Sequence, residues 1–292
     1  MRKSAKVSRS TKLLCSTWMQ SSNCSKESKI MKNQKSMNSG SLFSFFVLAF
    51  VFSWLSWFIG VLASRQIFST LVPNMAWIII GAHGPLIAAV WMTYKLEGWA
   101  AVKELLRAGF NFRMPLIWWP AILLTPLILA SLAVWVSVSF NFYQPNTTLL
   151  SQPLMTIATF VMLFFVGGSF QEEFGWRGYA LPRLLRSWNP LTATLILGAV
   201  WGFWHLPLFF ISGANQSFMP FGVFVVLTMA FGVLFTWFLL RTNNLFSALL
   251  FHTAINLSFS LFSPVEQRIG GNQTALAYLA IAYVLVGCLI VF

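Results

Sequence analysis

The chain has 292 residues, of which 58% are hydrophobic, 17% aromatic and only 9% charged. A soluble globular domain carries about a quarter charged residues, so this composition excludes a water-dissolved fold and places most of the chain in lipid. The formal net charge of +13 does not point to nucleic acid, because nine of the 19 Lys and Arg precede residue 40, and a basic flank beside an apolar segment marks cytoplasmic retention.

Residues 1–40 are rich in Ser, Lys and Asn and too poor in apolar side chains to bury a core, which predicts a disordered basic cytoplasmic tail ahead of a membrane domain over 41–292. The first apolar stretch begins at Leu42 and runs for about 22 residues, the length of a spanning helix rather than a signal-peptide core. Met31 or Met37 would serve equally as a start, since Lys32 and Lys35 before the first span make an ordinary short N-terminus.

Eight apolar segments follow, near residues 42–63, 75–94, 115–140, 152–176, 190–211, 219–240, 244–263 and 275–292, each close to the roughly 20 residues needed to cross the hydrocarbon. The predicted class is an all-α membrane protein of about eight transmembrane helices. Between the second and third segments, Trp99, Val102, Leu105 and Leu106 alternate with Lys103, Glu104 and Arg107 at helical spacing, which predicts one interfacial amphipathic helix over 98–109. With the N-terminus inside, 17 basic residues fall on the cytoplasmic side and only Arg65 and Arg268 outside. That split predicts cytoplasmic termini on a multi-pass protein of the plasma membrane.

Chemistry is confined by what is missing. All six acidic residues are Glu (Glu27, Glu97, Glu104, Glu172, Glu173, Glu266), so neither an aspartyl dyad nor a Ser-His-Asp triad can be built. Cys15, Cys24 and Cys288 lack the close spacing of a disulfide framework or a zinc site and read as free thiols. Attention therefore falls on three polar clusters inside apolar segments.

The fourth segment ends in Gln171-Glu172-Glu173-Phe174-Gly175-Trp176-Arg177. Each charge costs about 2.5 to 3.5 kcal/mol at the bilayer centre, so such a cluster calls for a compensating structure. Glu173 and Arg177, four apart with Glu first, should pair on one helix face. Glu172 is rotated about 100° from Glu173 and is free to act as a base. His205 lies in the fifth segment, in Trp201-Gly202-Phe203-Trp204-His205, and His252 and Asn256 share a face of the seventh. At about 1.5 Å per residue, Glu172 lies roughly 10 Å, His252 roughly 12 Å, Asn256 roughly 18 Å and His205 roughly 20 Å from the cytoplasmic ends, so His205 requires a tilted helix or one starting outside the lipid. Each cluster also has a plainer reading: an ion-pair network at a helix end for Glu172, Glu173 and Arg177, interhelical polar glue for His252 and Asn256, and packing for the aromatics around Trp201. His83 on the second segment reads as a helix–helix hydrogen-bond partner and stays out of the site.

Taken together, the three clusters resemble the CPBP family, the CAAX proteases and bacteriocin-processing enzymes also called Abi or type II CAAX prenyl endopeptidase-like proteins. Glu172, Glu173 and Arg177 meet the first motif, two Glu then Arg after three residues. His252 and Asn256 meet the third. The second, Phe then His after three residues, is met with Trp201 in the Phe position and His205 in place, and Gly84-Pro85-Leu86 is also similar to the family. The resemblance implies an intramembrane endopeptidase in which Glu172, assisted by His205, activates water, His252 and Asn256 donate to the oxyanion, and Glu173 and Arg177 support the geometry. It also implies a lipid bilayer and a peptide or lipidated protein as partners, with no nucleic acid. A metal-free site is the favoured expectation; the alternative is zinc held by Glu172, His205 and His252, ligand types that zinc accepts. An ion- or proton-coupled transporter would also keep ionisable residues in its spans, but neither an inverted repeat nor paired broken helices is evident. A catalytically silent scaffold is the third class, and the full set of acid, His and Asn positions argues against it.

Overall fold

The computed structural model describes residues 21–68, 71–140, 148–262 and 273–291, with side chains from residue 41 to 290. All regular structure among the described residues is helical, and eight helical runs are long and apolar enough to cross a membrane. The helices are α1 (Ser21–Ser64), α2 (Asn74–Ala82), α3 (Gly84–Ala108), α4 (Trp118–Ser139), α5 (Pro153–Val166), α6 (Ser169–Glu173), a π-helical segment (Phe174–Ala180), α7 (Leu181–Leu185), α8 (Pro190–Trp204), α9 (Phe221–Thr242), α10 (Leu245–Phe262) and α11 (Gln273–Val291). Helix α1 reaches back to Ser21, and its membrane-spanning part is Ser41–Ser64, where the sequence places the first span. Residues 1–20 of the predicted tail lie outside the described residues, as does Arg268, one of the two basic residues assigned to the outer side. Contacts divide the chain into two units, Met1–Phe43 and Ser44–Phe292, and every candidate site residue lies in the second.

One predicted element keeps its form and one changes. The amphipathic segment is a helix of its own: Gly98 is non-helical (φ 82°, ψ 178°) and breaks α3 in two where the second span ends. Val102 is buried while Lys103, Glu104 and Arg107 are exposed, as the predicted pattern requires. The fourth span is longer than 152–176: it continues to Leu185 and is interrupted at Gly167 and Gly168.

Such a break frees backbone groups that lipid cannot solvate, so they must be bonded internally. The Gly168 N–H donates to Oε1 of Gln171 at 3.2 Å, and Gln171 Nε2 donates to the carbonyl of Phe165 at 2.7 Å. The carbonyl of Gly167 accepts from Nδ2 of Asn256, across on α10, at 2.7 Å. After α6 the chain widens into the π-helical segment, a form often found at functional positions.

Helix α8, which carries Trp201 and His205, packs against α9 at a close approach. A Cβ at Gly198 would lie 2.7 Å from the Cα of Met229, and one at Gly202 would lie 2.6 Å from Oγ1 of Thr228. Two small residues four apart let the helices meet backbone to backbone, a common device where no hydrophobic force separates helix from lipid. Thr194 donates to Thr236 at 2.6 Å across the same interface. On the other side of α8, Trp54 Nε1 donates to the carbonyl of Trp204 at 2.9 Å. Among the described residues no hydrogen bond of His83 crosses helices: its Nδ1 pairs with the carbonyl of Ile79 in its own helix at 2.8 Å.

Candidate active site

The three clusters converge. Glu172 and Glu173 come from α6, Arg177 from the π segment, Trp201 and His205 from the end of α8, and His252 and Asn256 from α10. Glu172, Glu173, Arg177, His205 and His252 are all buried.

Glu173 is the hub of the charged part. Its Oε1 accepts from Nη1 of Arg177 at 3.0 Å, the predicted i,i+4 pair, and also contacts Nδ1 of His252 at 2.7 Å. The guanidinium stacks over the rings of Phe235 at 3.8 Å and Trp201 at 4.6 Å, which shields the charge with aromatic faces in place of water. Glu173 therefore does more than pair with Arg177: it fixes the ring of His252, a contact that spacing along the chain does not reveal.

Glu172 points elsewhere, as the helical rotation predicts. Its Oε2 accepts from Nε1 of Trp201 at 2.5 Å. Its Oε1 faces Gly168, where an added Cβ would lie 2.6 Å from that oxygen and 3.6 Å from Nε2 of His252. A carboxylate oxygen and an imidazole nitrogen thus border the small space that the missing side chain of Gly168 leaves open.

His205 is held by its own helix. Its Nδ1 pairs with the carbonyl of Trp201 at 2.8 Å, and because a carbonyl only accepts, the proton sits on Nδ1 and a neutral ring keeps its lone pair on Nε2. Among the described residues no hydrogen bond joins His205 to Glu172; the side chain of Trp201 stands at both, with its ring centroid 5.7 Å from that of His205 and 5.6 Å from that of His252. Asn256 spends one amide proton on Gly167, so it secures the break in the fourth span and keeps one proton for another acceptor.

Among the described residues, no three His, Cys, Asp or Glu side chains gather closely enough to hold a metal ion. The zinc ligand set read from the sequence, Glu172 with His205 and His252, is therefore not assembled. Trp201 is the site residue that sequence reasoning assigned to packing. The one sequence signal for it was its place in the second motif.

Residues 152–258 match the Rce1-like family, described as type II CAAX prenyl endopeptidase Rce1-like. This Rce1-like stretch contains all three clusters. The chain is also 26% identical over 239 residues to CAAX prenyl protease 2 of Methanococcus maripaludis, covering 76% of this chain and 85% of that protein. The resemblance read from the motifs holds, and it supports a membrane-embedded peptidase.

Gly168 gives the first test of this geometry. Its φ of 106° is a backbone region that side chains avoid, and an alanine methyl there would press on Oε1 of Glu172. Displacing a reacting group by about 1 Å typically costs about 10² in rate, so with Glu172 as a reacting group Gly168→Ala is expected to lose at least that much peptidase activity while still inserting in membranes. Cleavage assays on membrane fractions normalised for protein level measure it; a variant as active as the unmodified chain would show that the space above Gly168 is not where the reaction occurs.

Proposed function

We propose that the chain is a metal-independent intramembrane endopeptidase with Glu172 as its general base. The observation that carries this reading is the pairing of Glu172 Oε1 and His252 Nε2 around the opening at Gly168. A water held by Oε1 attacks the carbonyl carbon of a peptide bond as Glu172 takes its proton. The lone pair on Nε2 of His205 accepts the second hydrogen of that water and so orients it. Negative charge developing on the carbonyl oxygen is met by the imidazole of His252 and the remaining amide proton of Asn256. When the tetrahedral intermediate collapses, the C–N bond breaks and the proton held by Glu172 passes to the leaving amine.

As for substrate, the names of the matching family and of the archaeal relative point to a prenylated C-terminal Cys-a-a-X segment, in which the lipid on Cys would lie in the bilayer beside the helices. The 17 to 2 division of basic residues supports cytoplasmic termini, with the fourth span ending on the cytoplasmic side.

Purified protein stripped of metal with a chelator is expected to cleave a fluorogenic peptide bearing a farnesylated Cys-a-a-X end at an undiminished rate, and to contain no stoichiometric zinc. Loss of cleavage on chelation, with recovery on added zinc, would reverse the assignment of a metal-free site.

A further inference from the structure

We propose that Trp201 is a positioning residue for the candidate base, its indole N–H fixing Oε2 of Glu172 so that Oε1 alone is presented to the opening at Gly168. The proposal rests on the reading of Glu172 as the base. The family motif resembled here has Phe at this position, and a Phe ring has no donor to offer. In this chain the donor exists and is used: Nε1 of Trp201 lies 2.5 Å from Oε2, and no other hydrogen bond reaches that oxygen among the described residues. A buried carboxylate with one oxygen tied in this way cannot rotate about its last bond without breaking a hydrogen bond to a charged acceptor, one of the stronger kinds in proteins.

The same residue also governs His205, through a different atom. Its carbonyl receives the Nδ1 proton of His205 one helical turn on, which sets the tautomer of that ring. One residue therefore orients the carboxylate by its side chain and the histidine by its main chain. Its position is itself over-determined. Phe235 packs edge-on against the ring at 5.8 Å, the Arg177 guanidinium covers a face, and Gly202 beside it in sequence lets α8 sit close against α9. The indole is locked in place before any substrate arrives, as a pre-organised site requires.

Two substitutions separate the hydrogen bond from the packing. Trp201→Phe installs the family residue. Site-specific replacement of Trp201 by β-(3-benzothienyl)alanine keeps the bicyclic shape but puts sulfur where the N–H was. Both are expected to lower kcat on the farnesylated fluorogenic peptide by about 10- to 100-fold with KM unchanged, the range for losing one hydrogen bond to a charged group. The isostere should keep the melting temperature of the unmodified protein. Independently of turnover, the indole N–H resonance of Trp201, recognised among the 14 tryptophans by its absence in W201F, should lie downfield and move upfield in E172Q, where the acceptor is neutral. A wild-type kcat in the isostere variant, a change confined to KM, or an indole resonance indifferent to E172Q overturns the proposal. Failure of the base assignment looks different: E172Q would then cleave normally, or the unmodified protein would not cleave the peptide at all, and the resonance would still decide whether Trp201 holds Glu172.

Discussion

Glu172→Gln is expected to lower peptide cleavage by about 10² to 10⁴, the usual contribution of a general base, and to leave the protein inserted and folded. The reasoning is geometric. A glutamine can keep its amide oxygen on the Trp201 N–H, which places the amide NH₂ where Oε1 faced Gly168 and His252. A donor then stands where an acceptor is needed, and it cannot take a proton from water. The two histidines give companion tests. In the proposed mechanism His205→Ala removes the lone pair that orients the water and His252→Ala removes the principal group facing the oxyanion, so each should approach the inactivity of the Gln variant. Asn256→Ala should fall by about 10² to 10³ if only an oxyanion donor is lost. Its amide also bonds Gly167, so this variant should lose thermal stability as well, which His205→Ala should not to the same extent. Near-normal cleavage of the farnesylated peptide by the Gln variant would remove Glu172 from the mechanism.

Much of this arrangement was legible from composition and spacing, because in lipid the backbone has few options. Long apolar runs must be helices, and polar residues within them must find one another. The i,i+4 pairing of Glu173 with Arg177 followed from helix geometry alone and is present. Depth was harder to read. By its apolar run the fourth span ends near Trp176, whereas Glu172, Glu173 and Arg177 are buried and the span runs on to Leu185, leaving Glu172 roughly 20 Å from that end, level with His205 by the same count. No tilt of α8 is needed to bring them together. Contacts between helices were not legible at all. Nothing in the local sequence says that Glu173 will hold His252, that Trp201 rather than His205 will bond Glu172, or that Asn256 will secure the carbonyl of Gly167. These depend on how α6, α8 and α10 face each other, and on a helix break whose only trace in the sequence is the pair Gly167-Gly168.

The buried pair of Glu173 and Arg177 should give the largest effects on stability. Both side chains are almost fully excluded from the surface, at 0% and 1% exposure, and Oε1 of Glu173 serves Arg177 and His252 at once. Removing one partner of such a pair typically costs about 3 to 5 kcal/mol, because the charge left behind has neither water nor a counter-ion. Arg177→Ala strands Glu173 between His252 and the apolar faces of Phe235 and Trp201. Glu173→Ala strands the guanidinium and also frees the ring of His252. Each single variant is therefore expected to melt well below the unmodified protein in detergent. The double variant carries no stranded charge, so it should melt no lower than the worse single variant, far short of the summed losses. Activity should divide the variants differently. His252 has lost its anchor in Glu173→Ala and in the double variant alike, so restored stability in the double should bring no restored cleavage. Glu173→Gln keeps a hydrogen-bonding oxygen for Nδ1 of His252 and should retain more activity than Glu173→Ala at comparable stability. Additive losses in the double variant would mean that the two residues act on the fold separately. Recovery of cleavage together with stability would mean that Glu173 supports the fold alone and that His252 is held by something else.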